Sequence, residues 1–186
     1  MEIIDVLAIE QNALKIEVGI KKYMKIMNSL HSCDVSQDRE FQVAYNGFYR
    51  VRQRSQEWYK IYYGYMQRHK SDSIEFKDVL IYMFEKTGKF EPSFSSKLLA
   101  TINPDMPVWD GNVLSQLSIK APQCDKKDRL EATIEKYTDL GKWYDTYLKT
   151  KNSQDVVDRF DKLFPNTQIT DLKKIDLALW SMGLKK

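Results

Sequence analysis

The sequence predicts an all-α chain of about seven or eight helices, and three observations carry that expectation. Apolar residues recur at steps of three and four along most of its length, the spacing that gathers side chains on one helical face. No stretch alternates apolar and polar residues for long enough to ask for a strand. The 186 residues include only 7 Gly and 5 Pro, and neither an internal repeat nor a Gly/Ser linker divides them. A single all-helical domain over residues 1–186 is expected, with the polar segment 31–40 as the place for a boundary between two lobes.

Val6, Ile9, Ala13, Ile16, Ile20, Tyr23, Met27 and Leu30 form the first apolar stripe, so residues from about 3 to 30 read as one long amphipathic helix. His31 to Asp38 is polar and breaks it. Ala44, Phe48, Val51, Ser55, Trp58, Tyr62 and Tyr65 then resume the step as far as His69, a second long helix with an interruption near Gly47. Asp72 and Glu75 have capping-box spacing ahead of Phe76, Val79, Leu80 and Met83, and Gly88 stands where a terminator belongs, giving a helix from about 73 to 87. Pro92 and Ser93 open a short helix through Ile102, since proline is tolerated in a first turn. Pro104 and Pro107 force a connection, and Asp110 caps a short helix through about Leu117. Beyond Pro122, Leu130, Ile134, Tyr137, Gly141, Tyr144 and Leu148 mark a helix from about 126 to 150. Two more follow, 154–164 behind Ser153 and 171–182 behind Thr170, stopped by Gly183.

Composition removes several classes. At 42% hydrophobic and 30% charged residues the chain is globular, not disordered or collagen-like. The 29 Lys and Arg against 26 Asp and Glu leave a net charge of +3, too small to argue for a polyanionic partner except through local clustering. Two cysteines, Cys33 and Cys124, make neither a disulfide framework nor a C-x-x-C pair, so a reducing, cytoplasmic setting is expected. Glu2 and Asp5 occupy the start where a secretory signal needs basic residues, and the longest purely apolar run is Val79 to Phe84; no membrane partner is expected. Phosphate loops, nucleophile elbows, H-E-x-x-H pairs and G-x-G-x-x-G turns are all missing. His31-Ser32-Cys33-Asp34 lacks partners at ligand spacing and reads as a polar loop, so no metal is expected.

Charge does cluster between Arg39 and Lys70. Seven basic residues, Arg39, Arg50, Arg52, Arg54, Lys60, Arg68 and Lys70, face two acidic ones, Glu40 and Glu57, and nine aromatics share the segment. Guanidinium groups pair with phosphates and aromatic faces stack on unpaired bases, so the mixture suits a nucleic-acid surface; a core stripe of aromatics with a solvated basic face behind it accounts for the same pattern. Arg52 points away from the helical face of Arg50 and Arg54.

The most informative stretch runs from Thr87 to Val113. It strings together a helix, the short turn Thr87-Gly88-Lys89-Phe90-Glu91-Pro92, a second helix bearing Lys97, a proline-bracketed loop, and Asp110 at the mouth of the next helix in Pro107-Val108-Trp109-Asp110-Gly111-Asn112-Val113. This order resembles the helix-hairpin-helix DNA glycosylase superfamily, particularly its divergent bacterial relatives of the 8-oxoguanine glycosylase type. In that family a lysine opens the second helix of the hairpin and the catalytic aspartate follows at a helix start. The ending Ile175-Asp176-Leu177-Ala178-Leu179-Trp180-Ser181-Met182-Gly183 is similar to the closing helix of those relatives. The resemblance covers residues 73–117 with specificity.

It implies a two-lobed glycosylase-like fold, DNA as partner, no cofactor, and excision of damaged bases. Lys97 would attack the sugar C1′, and Asp110 would stabilise the positive charge that builds there or activate water. Arg50, Arg52, Arg54, Tyr49, Trp58 and Lys89 would meet the nucleic acid, with the base leaving its stack. Without the resemblance, Lys97 reads as a solvated helix lysine and Asp110 as a helix cap. A catalytically inactive helical nucleic-acid-binding or protein-interaction domain is the alternative.

Overall fold

The computed structural model describes residues 4–122 and 128–183. Every element among them is helical, ten helices in all: α1 (Val6–Gln11), α2 (Ala13–Leu30), α3 (Arg39–Tyr49), α4 (Gln56–His69), α5 (Phe76–Thr87), α6 (Pro92–Ile102), α7 (Gly111–Gln116), α8 (Arg129–Tyr147), α9 (Lys151–Leu163) and α10 (Asp171–Met182). The all-α class is therefore as expected. The helix onset expected near 126, Cys124 and Glu2 lie outside the described residues. Among those described, no helix is long and apolar enough to cross a membrane.

Two expected helices are each divided. The first parts at Asn12, whose side-chain amide donates to Ala8 C=O at 2.9 Å alongside its own backbone N–H at 3.2 Å. The second parts at Arg50, three residues beyond Gly47. Arg50 adopts φ 55 as the C-cap of α3 and Gln53 adopts φ 57, and Ser55 restarts the chain by accepting Trp58 N–H at 3.1 Å. Two non-glycine residues in the left-handed region within one short loop cost backbone energy. That loop carries Arg50, Arg52 and Arg54.

Caps explain the boundaries of α5, α9 and α10. For α5 the reciprocal pair sits three residues later than the spacing suggested, with Asp78 accepting Glu75 N–H at 3.2 Å, and Gly88 closes the helix at φ 65. Helix α9 starts earlier than expected because Thr150, not Ser153, accepts the capping bond, from Ser153 N–H at 3.1 Å. Thr170 caps α10 through Lys173 N–H at 3.2 Å.

The chain forms two compact units, one of residues 1–18 and 104–186, the other of residues 19–103. The divisions run within α2 and after Asn103, whereas the 31–40 segment lies inside the second unit. Its polar groups are fastened there: Gln67 Oε1 accepts Val35 N–H at 3.0 Å, and Lys70 Nζ donates to the carbonyls of Leu30 and Cys33 at 3.2 and 2.8 Å. In the first unit α1 packs on α9 and α10, and α10 also packs on α7 and α9. Eight consecutive residues of α10, 172–179, are buried. In the second unit α5 and α6 form a hairpin against α4, and the interior is rich in rings, with Tyr45, Tyr62 and Tyr63 all at 0% exposure.

Candidate nucleic-acid interface

The second unit brings three of the residues singled out in the sequence, Arg54, Trp58 and Lys97, around one cluster. Ser55 fixes the start of α4, which sets Arg54 just ahead of the helix and Trp58 one turn inside it. Glu91, immediately before Pro92 at the start of α6, joins them. Its carboxylate takes Arg54 Nη2 at 2.5 Å on one oxygen and Trp58 Nε1–H at 2.8 Å on the other. Phe94, one turn into α6, lies under two cations: Arg54 Cζ is 4.9 Å and Lys97 Nζ 5.3 Å from its ring centre. Phe94 and Lys97 are three residues apart and share a helical face. Arg54 also covers the Trp58 ring at 5.8 Å, while its Nε is buried without a hydrogen-bond partner.

Lys97 is only 8% exposed, unlike a solvated helix lysine. Behind it, Thr101 Oγ1 donates to Lys97 C=O at 2.8 Å and lies 3.3 Å from Tyr49 Oη. Lysine is among the residues least often buried, and burying its ammonium demands compensating polar contacts. The Glu91 carboxylate and the ring faces of Phe94 and Trp58 give this region both a negative charge and cation-binding surfaces.

Burial changes the roles open to the aromatics. Tyr49 and Trp58 are 5% and 2% exposed. Trp58 stacks on Tyr62 at 4.6 Å and Tyr49 packs on Tyr45 at 4.7 Å, while Tyr62 hydroxyl donates to Phe94 C=O at 2.9 Å. Their faces are engaged in the core and present nothing to a base, so the stacking role assigned to them from sequence does not fit this conformation. Arg50, Arg52 and Lys89 are exposed and keep their charges at the surface. Arg54 differs from them in being tied to Glu91.

Asp110 belongs to the first unit, so neither unit by itself contains both Lys97 and Asp110. It caps α7 as expected, one oxygen accepting Asn112 N–H at 2.9 Å. Pro107, Val108 and Trp109 ahead of it are buried. The segment is held at both ends: Thr170 Oγ1 donates to Pro104 C=O at 3.1 Å and Tyr137 hydroxyl to Pro107 C=O at 2.8 Å. Tyr144, wholly enclosed, donates to Asp176 Oδ1 at 3.3 Å. Burial pushes the Tyr144 phenol well up, and the negative charges of Asp176 and Asp110 add to it.

Glu91 and Phe94 were not singled out in the sequence. Phe94 has a signal, its three-residue step to Lys97. Glu91 has none, because its partners Arg54 and Trp58 are more than thirty positions away and only the packing of α6 on α4 brings them together. Replacing Glu91 with Gln should lower unfolding stability by about 2 kcal/mol, since a hydrogen-bonded charge is removed beside a half-buried cation. Urea denaturation checks this: an unchanged midpoint would show that the Arg54–Glu91 pair holds nothing together. Comparison with protein-family models, with curated proteins and with solved structures finds no match to this chain.

Proposed function

We propose that the chain is a DNA-binding protein of the helix-hairpin-helix glycosylase type that excises damaged bases in the cytoplasm. The observation that carries the reading is Lys97 itself: an amine 8% exposed, seated on Phe94 beside Arg54 and Glu91, on the second helix of the α5–α6 hairpin. The motif order from Thr87 to Val113 supports the same reading, and so do the exposed cations Arg50 and Arg52 on their strained loop and Lys89 at the hairpin turn.

In this mechanism the Lys97 nitrogen bonds to C1′ as the C1′–N bond breaks. The base departs with the bonding pair and takes a proton, and opening of the sugar ring leaves a Schiff base. Asp110 serves the hydrolytic variant, taking a proton from the water whose oxygen bonds to C1′. Borohydride should trap a covalent complex on duplexes carrying oxidised or abasic sites, and Lys97→Gln should abolish trapping. Base release without trapping, abolished in Asp110→Asn, would assign the step to Asp110 alone. Absence of both base release and trapping across a broad lesion panel would overturn the enzymatic reading.

The second reading is a nucleic-acid-binding module without catalysis. It is favoured by Asp110, whose carboxylate is engaged as the cap of α7 by accepting Asn112 N–H at 2.9 Å. Both readings require cations that neutralise phosphates, so DNA affinity should fall steeply with salt. Removing Arg50 and Arg52 together should flatten the slope of log affinity against log salt by about 0.9 for each phosphate left without its arginine. A salt-independent or undetectable affinity for single- and double-stranded DNA would overturn both.

A further inference from the structure

The face of α1 and the first turns of α2 that points away from their own core is apolar. Leu7, Leu14 and Val18 are 60%, 79% and 52% exposed, whereas Ile9 and Ile16 on the opposite side are 1% and 0% exposed. The break at Asn12 does not interrupt the face, because Asn12 N–H still bonds Ala8 C=O at 3.2 Å and Ile16 N–H bonds Asn12 C=O at 3.0 Å. Leu7, Gln11, Leu14 and Val18 follow the four-three-four step of a two-helix seam. That seam has Leu7 and Leu14 in one core register and Gln11 with β-branched Val18 in the other; leucine against valine favours two strands, and a single polar residue in the core register fixes how two copies align.

Charge on the two edges of the seam is of opposite sign. Glu10 and Glu17 flank it on one side and Lys15 on the other, and Lys22 continues the Lys15 edge one heptad further along α2. Lys15 and Lys22 are exposed, and Glu10 and Glu17 are half-buried; Glu10 also pairs with Arg159 of its own chain. In a parallel pair of identical helices, a glutamate on one edge meets the lysine five residues further along the other copy. Glu10 then faces Lys15 and Glu17 faces Lys22, each pairing made twice by symmetry.

We propose that this face is a self-association surface, occupied by the same face of a second copy of the chain. The inference is independent of any role in DNA binding. Sedimentation equilibrium of the full chain should show a monomer–dimer equilibrium. Leu14→Glu should weaken it at least ~10-fold, as expected for a central buried anchor. Its far-UV circular dichroism should not change, because Leu14 makes little use of its own core.

Lys22→Glu should weaken pairing by itself, and mixing it with Glu17→Lys should restore association between the two variants as the charges become complementary again. A wild-type chain monomeric up to millimolar concentration would overturn the proposal, as would a dimer untouched by Leu14→Glu. A monomer that instead binds phosphatidylserine vesicles through Leu14 would also overturn it, assigning the face to a lipid surface.

Discussion

Asp176→Asn should lower unfolding stability by about 3–5 kcal/mol, the usual cost of removing one partner from a buried ion pair. Asp176 and Lys173 lie one turn apart on α10, with Nζ to Oδ2 at 2.7 Å and side chains 7% and 6% exposed. Asparagine preserves the shape and can still accept the Tyr144 hydroxyl, so the variant isolates the charge. Lys173 then keeps its ammonium in a desolvated place without the carboxylate that compensated it. Since a domain of this size is stable by roughly 5–15 kcal/mol, the decrease is a large share of the whole. Replacing both residues with apolar ones of similar volume should recover part of it, because two desolvation penalties disappear together while the Tyr144 hydroxyl loses its Asp176 acceptor. Chemical denaturation of the two single variants and the double variant checks the cycle; a single-variant cost below about 1 kcal/mol would place the pair with weak surface bridges.

High pH should unfold the chain cooperatively. Burial pushes the phenols of Tyr45, Tyr62 and Tyr144 well above their ordinary value of 10. It also raises Tyr63 and Tyr137, and pushes Tyr147 up to about 12. The folded chain therefore holds protons that the unfolded chain releases from pH 10 upward. Stability from these groups is complete below pH about 10 and is lost as pH rises toward the folded values. Each phenol that stays protonated only in the folded state costs about 1.4 kcal/mol per pH unit. Tyr45, Tyr62 and Tyr144 together make the loss of stability steeper than any one of them would, so the chain unfolds at alkaline pH above the ordinary phenol range. Phenolate absorbance and helical circular dichroism should change together. Gradual ionisation near pH 10 with the helices intact would sink this expectation.

Helix class and most helix positions were legible in the sequence because amphipathic spacing and caps act over four residues. Thr170, Asp110, Pro92 and Gly88 each mark a boundary through a bond or a φ value decided within their own turn. Arg50 was harder: the 3.6-residue stripe runs on through Val51 and Ser55, so periodicity suggested one helix where a left-handed cap makes two. Asn12 hides its break for the same reason. The polar 31–38 segment looked like a boundary, yet Gln67 and Lys70, distant in sequence, satisfy its backbone and draw it into a core.

The candidate site divides along the same line. Sequence by itself determined that Asp110 begins a helix and that basic and aromatic residues crowd positions 39 to 70, because these are matters of spacing and composition. Only the tertiary structure decided that Tyr49 and Trp58 face inward, that Lys97 is buried, that Glu91 pairs with Arg54, and that Lys97 and Asp110 belong to different units. Those outcomes depend on which helix packs against which. Burial and charge pairing are properties of contacts between distant residues, and a periodicity of 3.6 says which face is apolar without saying what covers it.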